Sequence, residues 1–487
     1  MQLSPTAPEE PALSPRARLI ALLLGPALAV LLTMLPAPEG MSAQGWRVCA
    51  IALWMVVWWI SEAMPLAVTS LLPLVVFPLF DIMPLKEAGT SFGNPVIFLF
   101  MGGFMLAASM RKWQLHTRLA YLVLTYTAHS ARAVLAGLML VTAIMAMWMS
   151  NTATAVLMFP IAMSIGLLLQ EKSGGNLRAP KAIALGIAYA SVLGGLSTFI
   201  GTPTNAMLYA HMQSTYQTSL SLSEWMSFGV PLSALSLLFA WVLLSQMYLR
   251  EMPLTDDLSD EIAAKRAALG PLSQGEKNTA MVFFITVALW LCSSWLEGVG
   301  IVLEDASIAI FAALALFLLP VNLRSQQFTL EWRDAEEIPW GILVFFAGSL
   351  ALSAAFTATG VSDWLGTQLE ALHGVPTVLI VLAVVTLIIA ASEMMSNVAT
   401  ISVFLPILSV LAEALHVNPL LFLLPATLAA SCGFMLPGAS APNAIAYATG
   451  IFRVKEMVRA GFWMDLMAVM VITLATFTLV DFVMGVR

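Results

Sequence analysis

The sequence predicts an all-α polytopic membrane protein built as an inverted repeat, with about 11 transmembrane helices and two re-entrant hairpins. Three observations carry that prediction. Of 487 residues, 60% are apolar and only 10% are charged, where an ordinary soluble domain carries about 25% charged residues. Apolar runs recur along the whole chain, and with their flanks they reach the roughly 20 residues that span a bilayer. A polar motif set in apolar sequence, "MSNTATAVLMFPIA" at 149–162, returns 246 residues later as "MSNVATISVFLPIL" at 395–408.

Residues 1–45 read as an N-terminal tail and a first transmembrane helix. The tail is polar and proline-bearing, Arg16 and Arg18 stand directly before the apolar run 19–35, and no small-residue cleavage site follows. That pattern indicates an uncleaved helix, not a signal peptide. Residues 46–249 form the first repeat. It holds the apolar run 48–60, "NPVIFLFMGGFMLAAS" at 94–109, an apolar stretch near 133–169 and "GTPTNAM" at 201–207. The stretch near 133–169 is too long for one crossing, so it reads as a hairpin entering and leaving on one side. Residues 250–278 are the sizeable hydrophilic insertion and read as a cytoplasmic linker. Residues 279–487 repeat the design, with runs at 281–292 and 308–319, "IPWGILVFFAGSLALSAA" at 338–355, a second hairpin near 376–411, "GASAPNAIA" at 438–446 and a last run at 466–480.

Basic residues orient these elements, because cytoplasmic loops collect Lys and Arg. With the N-terminus inside and both hairpins counted as non-crossing, 18 of the 21 Lys and Arg fall on one face. Only Arg47, Lys86 and Arg487 fall on the other. The expectation is a multi-pass protein of the cell inner (plasma) membrane, N-terminus cytoplasmic and C-terminus outside. The two hairpins then open to opposite faces, so the halves run in opposite senses. Chains of this design are secondary transporters with a site near the bilayer midplane, where interrupted helices meet.

The polar motifs mark those interruptions. Gly201 permits unusual backbone angles, Pro203 removes a donor, and nearby Ser, Asn and Thr side chains compete for freed backbone groups. Carbonyl ends of broken helices suit a small hard cation such as Na+, and their N-termini offer N–H groups to an anion. Neither break carries Lys or Arg, so a bound carboxylate is held by dipoles and the cation. Thr154 and Thr400, just beyond the motifs, are expected to bond back to their own helices. Glu393, three residues before Ser396, is either functional, as intramembrane carboxylates tend to be, or a structural acceptor. Asn205 and Asn443 close the two later breaks.

Enzyme chemistry finds no support. There is no HExxH pattern and no nucleophile beside a base, and no GxxxxGK[ST] loop for ATP-driven transport. The five histidines fall at predicted span ends, which suggests interfacial placement. Cys49, Cys292 and Cys432 are odd in number and read as buried small side chains. The 14 Trp and 29 Met read as lipid-facing belts and core filler. A passive channel needs a continuous polar path, whereas polarity here is concentrated at the breaks.

With these motifs in view, the chain resembles the divalent anion/sodium symporter family, which includes the INDY-type di- and tricarboxylate transporters. The resemblance runs from about residue 46 to the end and rests on the paired Ser-Asn motifs, the Gly-Thr-Pro-x-Asn break and "GNPVIFLFMGGFMLA". It implies a homodimer whose protomers divide into a scaffold and a transport domain that moves as an elevator. It implies that Asn151, Thr152, Asn397 and Val398 bind substrate with Thr202, Pro203, Ser440 and Ala441. Na+ is implied at Ser150, Asn151 and Gly201, and again at Ser392, Met395, Asn397 and Ala439. Val398 stands where the second motif often has Thr, Ser440 and Ala441 fall in a run usually Thr-Pro-Pro-Asn, and Ala146 stands where a serine is expected. The implied activity is import of C4-dicarboxylates such as succinate, malate or fumarate with Na+. The alternatives are a Na+-independent exchanger of the same fold, or a citrate or sulfate transporter.

Overall fold

The computed structural model describes residues 14–218, 220–250, 257–369 and 374–480. The tail before Ser14, the linker stretch 251–256, His373 and the C-terminal residues with Arg487 lie outside the described residues. The chain is helical nearly throughout. Among the described residues, eight helices are long and apolar enough to cross a membrane, from Pro15–Met34 to Val454–Leu479. Five apolar helices are shorter, Ala131–Ala146, Thr377–Ser392 and Leu420–Ala430 among them.

The stretch expected as the first hairpin is two helices, Ala131–Ala146 and Asn151–Lys172, parted at Met147–Ser150. The second is Thr377–Ser392 and Asn397–Ala414, parted at Glu393–Ser396. Each second helix contains one proline, Pro160 or Pro406, again 246 residues apart. The later motifs also interrupt helices: Arg178–Gly195 gives way to Pro203–Tyr216, and Leu420–Ala430 to Ala441–Ala448.

Arg178–Gly195 is the centre of the molecule, buried along almost its whole length. Its alanines and glycines let neighbours approach to backbone contact, as small residues do between membrane helices. A side chain at Gly194 would strike the backbone of Ala143. Packing crosses the two halves. Ala441–Ala448 lies against Arg178–Gly195 and Asn151–Lys172, and Pro203–Tyr216 lies against Asn397–Ala414 and Leu420–Ala430. Apolar side chains left outside, such as Leu23, Phe284, Trp295, Phe311 and Met470, form the surface a bilayer would cover.

Basic side chains of the first half pair with the linker and with the second half. Lys172 pairs with Glu261 at 2.9 Å, Arg118 with Glu276 at 2.7 Å, and Lys181 with Glu456 at 2.6 Å. Within the stretch 250–278 a helix forms, Ser259–Ala268, and the next helix, Gln274–Gly298, already begins under a Ser273/Glu276 capping box. Three expectations change. The all-α reading takes one exception, a two-stranded antiparallel ribbon of Pro320–Asn322 and Gln327–Phe328, too short to leave a sequence signal. Cys292 is exposed and Cys49 half-buried, leaving only Cys432 buried, because a helix surface facing lipid hides nothing within the chain. His116 and His211 are buried inside the protein, not exposed at its surface. His211 Nε2 lies 2.6 Å from Ser409 Oγ and its Nδ1 lies 3.4 Å from Ser353 Oγ.

Candidate functional site

The first break is organised around Asn151. Ser150 caps its helix by accepting the N–H of Ala153 at 3.3 Å, and Asn151 is the first helical residue. The Asn151 Oδ1 is buried and accepts no hydrogen bond. A Cβ on Gly195 would meet that oxygen, and would lie 3.3 Å from the carbonyl oxygen of Gly201. A Cβ on Gly201 would lie 2.5 Å from the carbonyl oxygen of Gly195 and 2.8 Å from that of Ala146. Two glycines thus let carbonyl and amide oxygens crowd one spot. Thr198 Oγ1 donates to the carbonyl of Met147 at 2.5 Å and accepts from Gly201 N at 3.0 Å, tying the two breaks together.

The second break repeats the construction around Asn397. Its side-chain amide lies 3.1 Å from the carbonyl oxygens of both Ala430 and Ala439. With nitrogen turned there it donates to both; with oxygen there, three oxygens converge. Gly433 makes the space, since a Cβ on it would lie 3.1 Å from Ala439 Cβ and 3.2 Å from Ser392 O. Ser392 is buried, its hydroxyl donating to Ile389 O at 3.0 Å. Met395 is half-buried.

The asparagines that end the later motifs staple them. Asn205 Nδ2 donates to Gly195 O at 3.1 Å and Thr198 O at 2.9 Å. Asn443 Nδ2 donates to Gly433 O at 3.3 Å and Leu436 O at 3.2 Å. Donor and both acceptors are displaced by the same 238 residues. Thr202 Oγ1 accepts from Asn205 N at 3.2 Å, and Ser440 Oγ accepts from Asn443 N at 3.3 Å, so both are N-caps. A chain of hydroxyls joins the halves: Thr202 Oγ1 to Thr204 Oγ1, and Thr204 Oγ1 to Ser431 Oγ, each at 2.7 Å.

The halves differ in what braces the break. Glu393 Oε1 and Oε2 accept the N–H groups of Met435 and Leu436, each at 2.8 Å, and Asp465 Oδ1 accepts that of Phe434 at 3.1 Å. Glu393 thus serves as a structural acceptor, one of the two readings the sequence leaves open. Asp465 gave no signal beyond being an acidic residue in an apolar helix. Thr400 Oγ1 bonds back to Ser396 O at 3.1 Å as expected, but Thr154 Oγ1 is buried without a partner. Thr154 lies one turn into the Asn151 helix, its hydroxyl left free of the backbone.

The residues named for substrate occupy a common position. Asn151 and Thr152, Asn397 and Val398, Pro203 after Thr202, and Ala441 after Ser440 are the cap or first residues of four helices. The free N–H groups of helix N-termini and their partial positive charge favour an anion. Thr152 is exposed, Val398, Ser440 and Ala441 half-buried, and Thr202 buried. The oxygen cluster at Asn151 fits Na+: an orphaned buried amide oxygen, backbone carbonyls, and glycines where a side chain would fill the space. Asn397 offers the same only with its amide oxygen turned to the Ala430 and Ala439 carbonyls.

A family model described as the sodium:sulfate symporter transmembrane region matches residues 16–485. The chain belongs to this family. It is a family of transporters, and its member here is a multi-pass membrane protein. Among family relatives, the chain is similar to the sodium-dependent dicarboxylate transporter SdcS of Staphylococcus saprophyticus, 37% identical across 96% of this chain and 92% of the relative. SdcS of Staphylococcus aureus strain MRSA252 is 36% identical with the same coverage. In fold it is similar to the solved structure of MtrF from Neisseria gonorrhoeae, with a TM-score of 0.55, 13% identity and 94% of each chain covered. The YdaH transporter of Alcanivorax borkumensis gives a TM-score of 0.54 at 14% identity, covering 96% of this chain and 97% of that one.

Proposed function

We propose that this protein imports C4-dicarboxylates, succinate, malate or fumarate, coupled to Na+. The observation that carries the reading is the pairing of two surfaces at each break: helix N-termini without Lys or Arg, and side-chain amides gathered with backbone carbonyls at Asn151 and Asn397. Na+ is held by Ser150, Asn151 and Gly201 in one half, and by Ser392, Met395, Asn397 and Ala439 in the other, partly through backbone carbonyls. The bound cation supplies the positive charge that the anion site lacks. Asn151, Thr152, Thr202 and Pro203 then face the substrate together with Asn397, Val398, Ser440 and Ala441. The sodium-dependent dicarboxylate relatives support both cation and substrate class.

The wider reading follows the same supports. The constant displacement of the staples favours two repeats, inverted by the charge map, with about 11 crossings and two re-entrant hairpins. The moving body is the pair of hairpins with the helices that follow them. It carries the site between faces as an elevator, against a scaffold that includes Asp305–Leu318 and Trp340–Ala358. The protein acts as a homodimer in the plasma membrane, with the gathered basic face cytoplasmic.

Uptake of radiolabelled succinate into proteoliposomes tests this, with an inward Na+ gradient, with K+ in its place, and with succinate preloaded inside. The expected result is uptake that requires the Na+ gradient. Uptake that ignores Na+ but needs internal succinate makes the protein an exchanger, and no uptake in any arm removes the C4-dicarboxylate reading.

A further inference from the structure

The helix Pro95–Lys112 presents Phe104, Ala107, Ala108 and Arg111 on one stripe, at the spacing that puts side chains on a single helix face. That stripe lines a crevice together with Ser150 and Ala153, at the tip of the first hairpin, and Glu337. The crevice holds about 40 Å³, near the volume of one water, so a four-carbon dianion passes only when it widens. Arg111 is the one basic side chain among the lining residues.

Two ion pairs join this helix to the same neighbouring segment, and they differ in kind. Lys112 meets Asp334 at 2.6 Å with both side chains mostly covered, 21% and 26% exposed. Its neighbour Trp113 is pinned as well, its Nε1 donating to Thr329 O at 2.8 Å. Lys112 is off the crevice, and its pair is a brace. Arg111 meets Glu337 at 2.9 Å, with the side chains 37% and 68% exposed. Exposed pairs of this sort contribute little to stability, so Arg111 can exchange its partner at small cost. A substrate carboxylate offers the guanidinium a charge-assisted, bidentate alternative.

We propose that Arg111 is a specificity-determining residue on the cytoplasmic side: it takes over a carboxylate of the dianion between the charge-free site at Ser150 and the cytosol, displacing Glu337. The proposal rests on the dicarboxylate reading and on the inward placement of the basic face. Glu337 competes with substrate for Arg111, so removing its charge strengthens the handover.

The test is the succinate KM measured from each side, in right-side-out and inside-out membrane vesicles. With Arg111→Gln, KM from the cytoplasmic side rises about tenfold, in line with the effect of a focusing charge in a cleft, and KM from the other side is unchanged. Glu337→Gln lowers the cytoplasmic KM several-fold, Arg111→Lys falls between wild type and Arg111→Gln, and Lys112→Gln changes neither KM. An Arg111→Gln effect that is absent, or equal from both sides, overturns the proposal. Should that variant fail to reach the membrane, Glu337→Gln decides: a cytoplasmic KM that is raised or unchanged overturns it. Wild-type vesicles that carry no succinate overturn the transport reading beneath it instead.

Discussion

Gly195 has no room for a side chain, because its Cβ would meet Asn151 Oδ1 and lie 2.6 Å from Thr202 Cγ2. Gly195→Ala therefore displaces the amide at the centre of the first oxygen cluster. Its succinate uptake is expected to fall to background, while Gly433→Ala, whose nearest contacts start at 3.1 Å, retains measurable uptake. Asn151→Ala and Asn397→Ala are expected to abolish uptake while leaving membrane insertion intact, checked by uptake normalised to purified protein. Near-normal uptake by both removes the site assignment. Thr400→Val is expected to transport nearly as wild type, because that hydroxyl serves only its own helix.

At the scale of the helix break, each staple satisfies two carbonyls from one amide. Losing it leaves buried acceptors unpaired, at a cost of about 1–3 kcal/mol per group. Asn205→Ala and Asn443→Ala are each expected to destabilise by roughly 2–4 kcal/mol, read as a lowered thermal midpoint in detergent. The breaks were legible in the sequence because Ser, Asn, Thr and Pro stand out where everything around them is apolar. Gly195 and Gly433, each ten residues before its staple asparagine, were not legible, because a lone glycine says nothing until the oxygen it makes room for is located. What braces a break was not legible. Nothing near residue 434 announces that Asp465, 31 residues on, accepts its N–H. His211 lies near a predicted helix end, yet the crossing of the halves buries it against Ser409 and Ser353. Thr154 escaped for the opposite reason: back-bonding is the default for a helical threonine, and only tertiary structure leaves it idle.

For the whole molecule, the contacts sort by which bodies they join. Thr204 to Ser431 lies within the proposed moving body, whereas Tyr209 OH donates to Asp305 Oδ2 at 3.3 Å across its boundary with the scaffold. In a background without the three native cysteines, a Thr204→Cys/Ser431→Cys disulfide is expected to leave succinate uptake intact. Tyr209→Cys and Asp305→Cys bridged by a short bifunctional thiol reagent are expected to stop it. Arrest by the first cross-link would show that the two halves move separately, contrary to an elevator.

The hydroxyl chain from Thr202 to Ser431 also bears on how the protein is made. Thr204 and its partner are 227 residues apart in the chain. A ribosome adding about 5–20 residues per second needs on the order of 11–45 s to cover that distance. Through that interval the nascent first half sits in the bilayer with an open helix break and no second half to close it. Biogenesis is then the moment when the polar centre of this transporter is most vulnerable to proteolysis, and membrane insertion factors that shelter unfinished helices gain a client defined by its incompleteness.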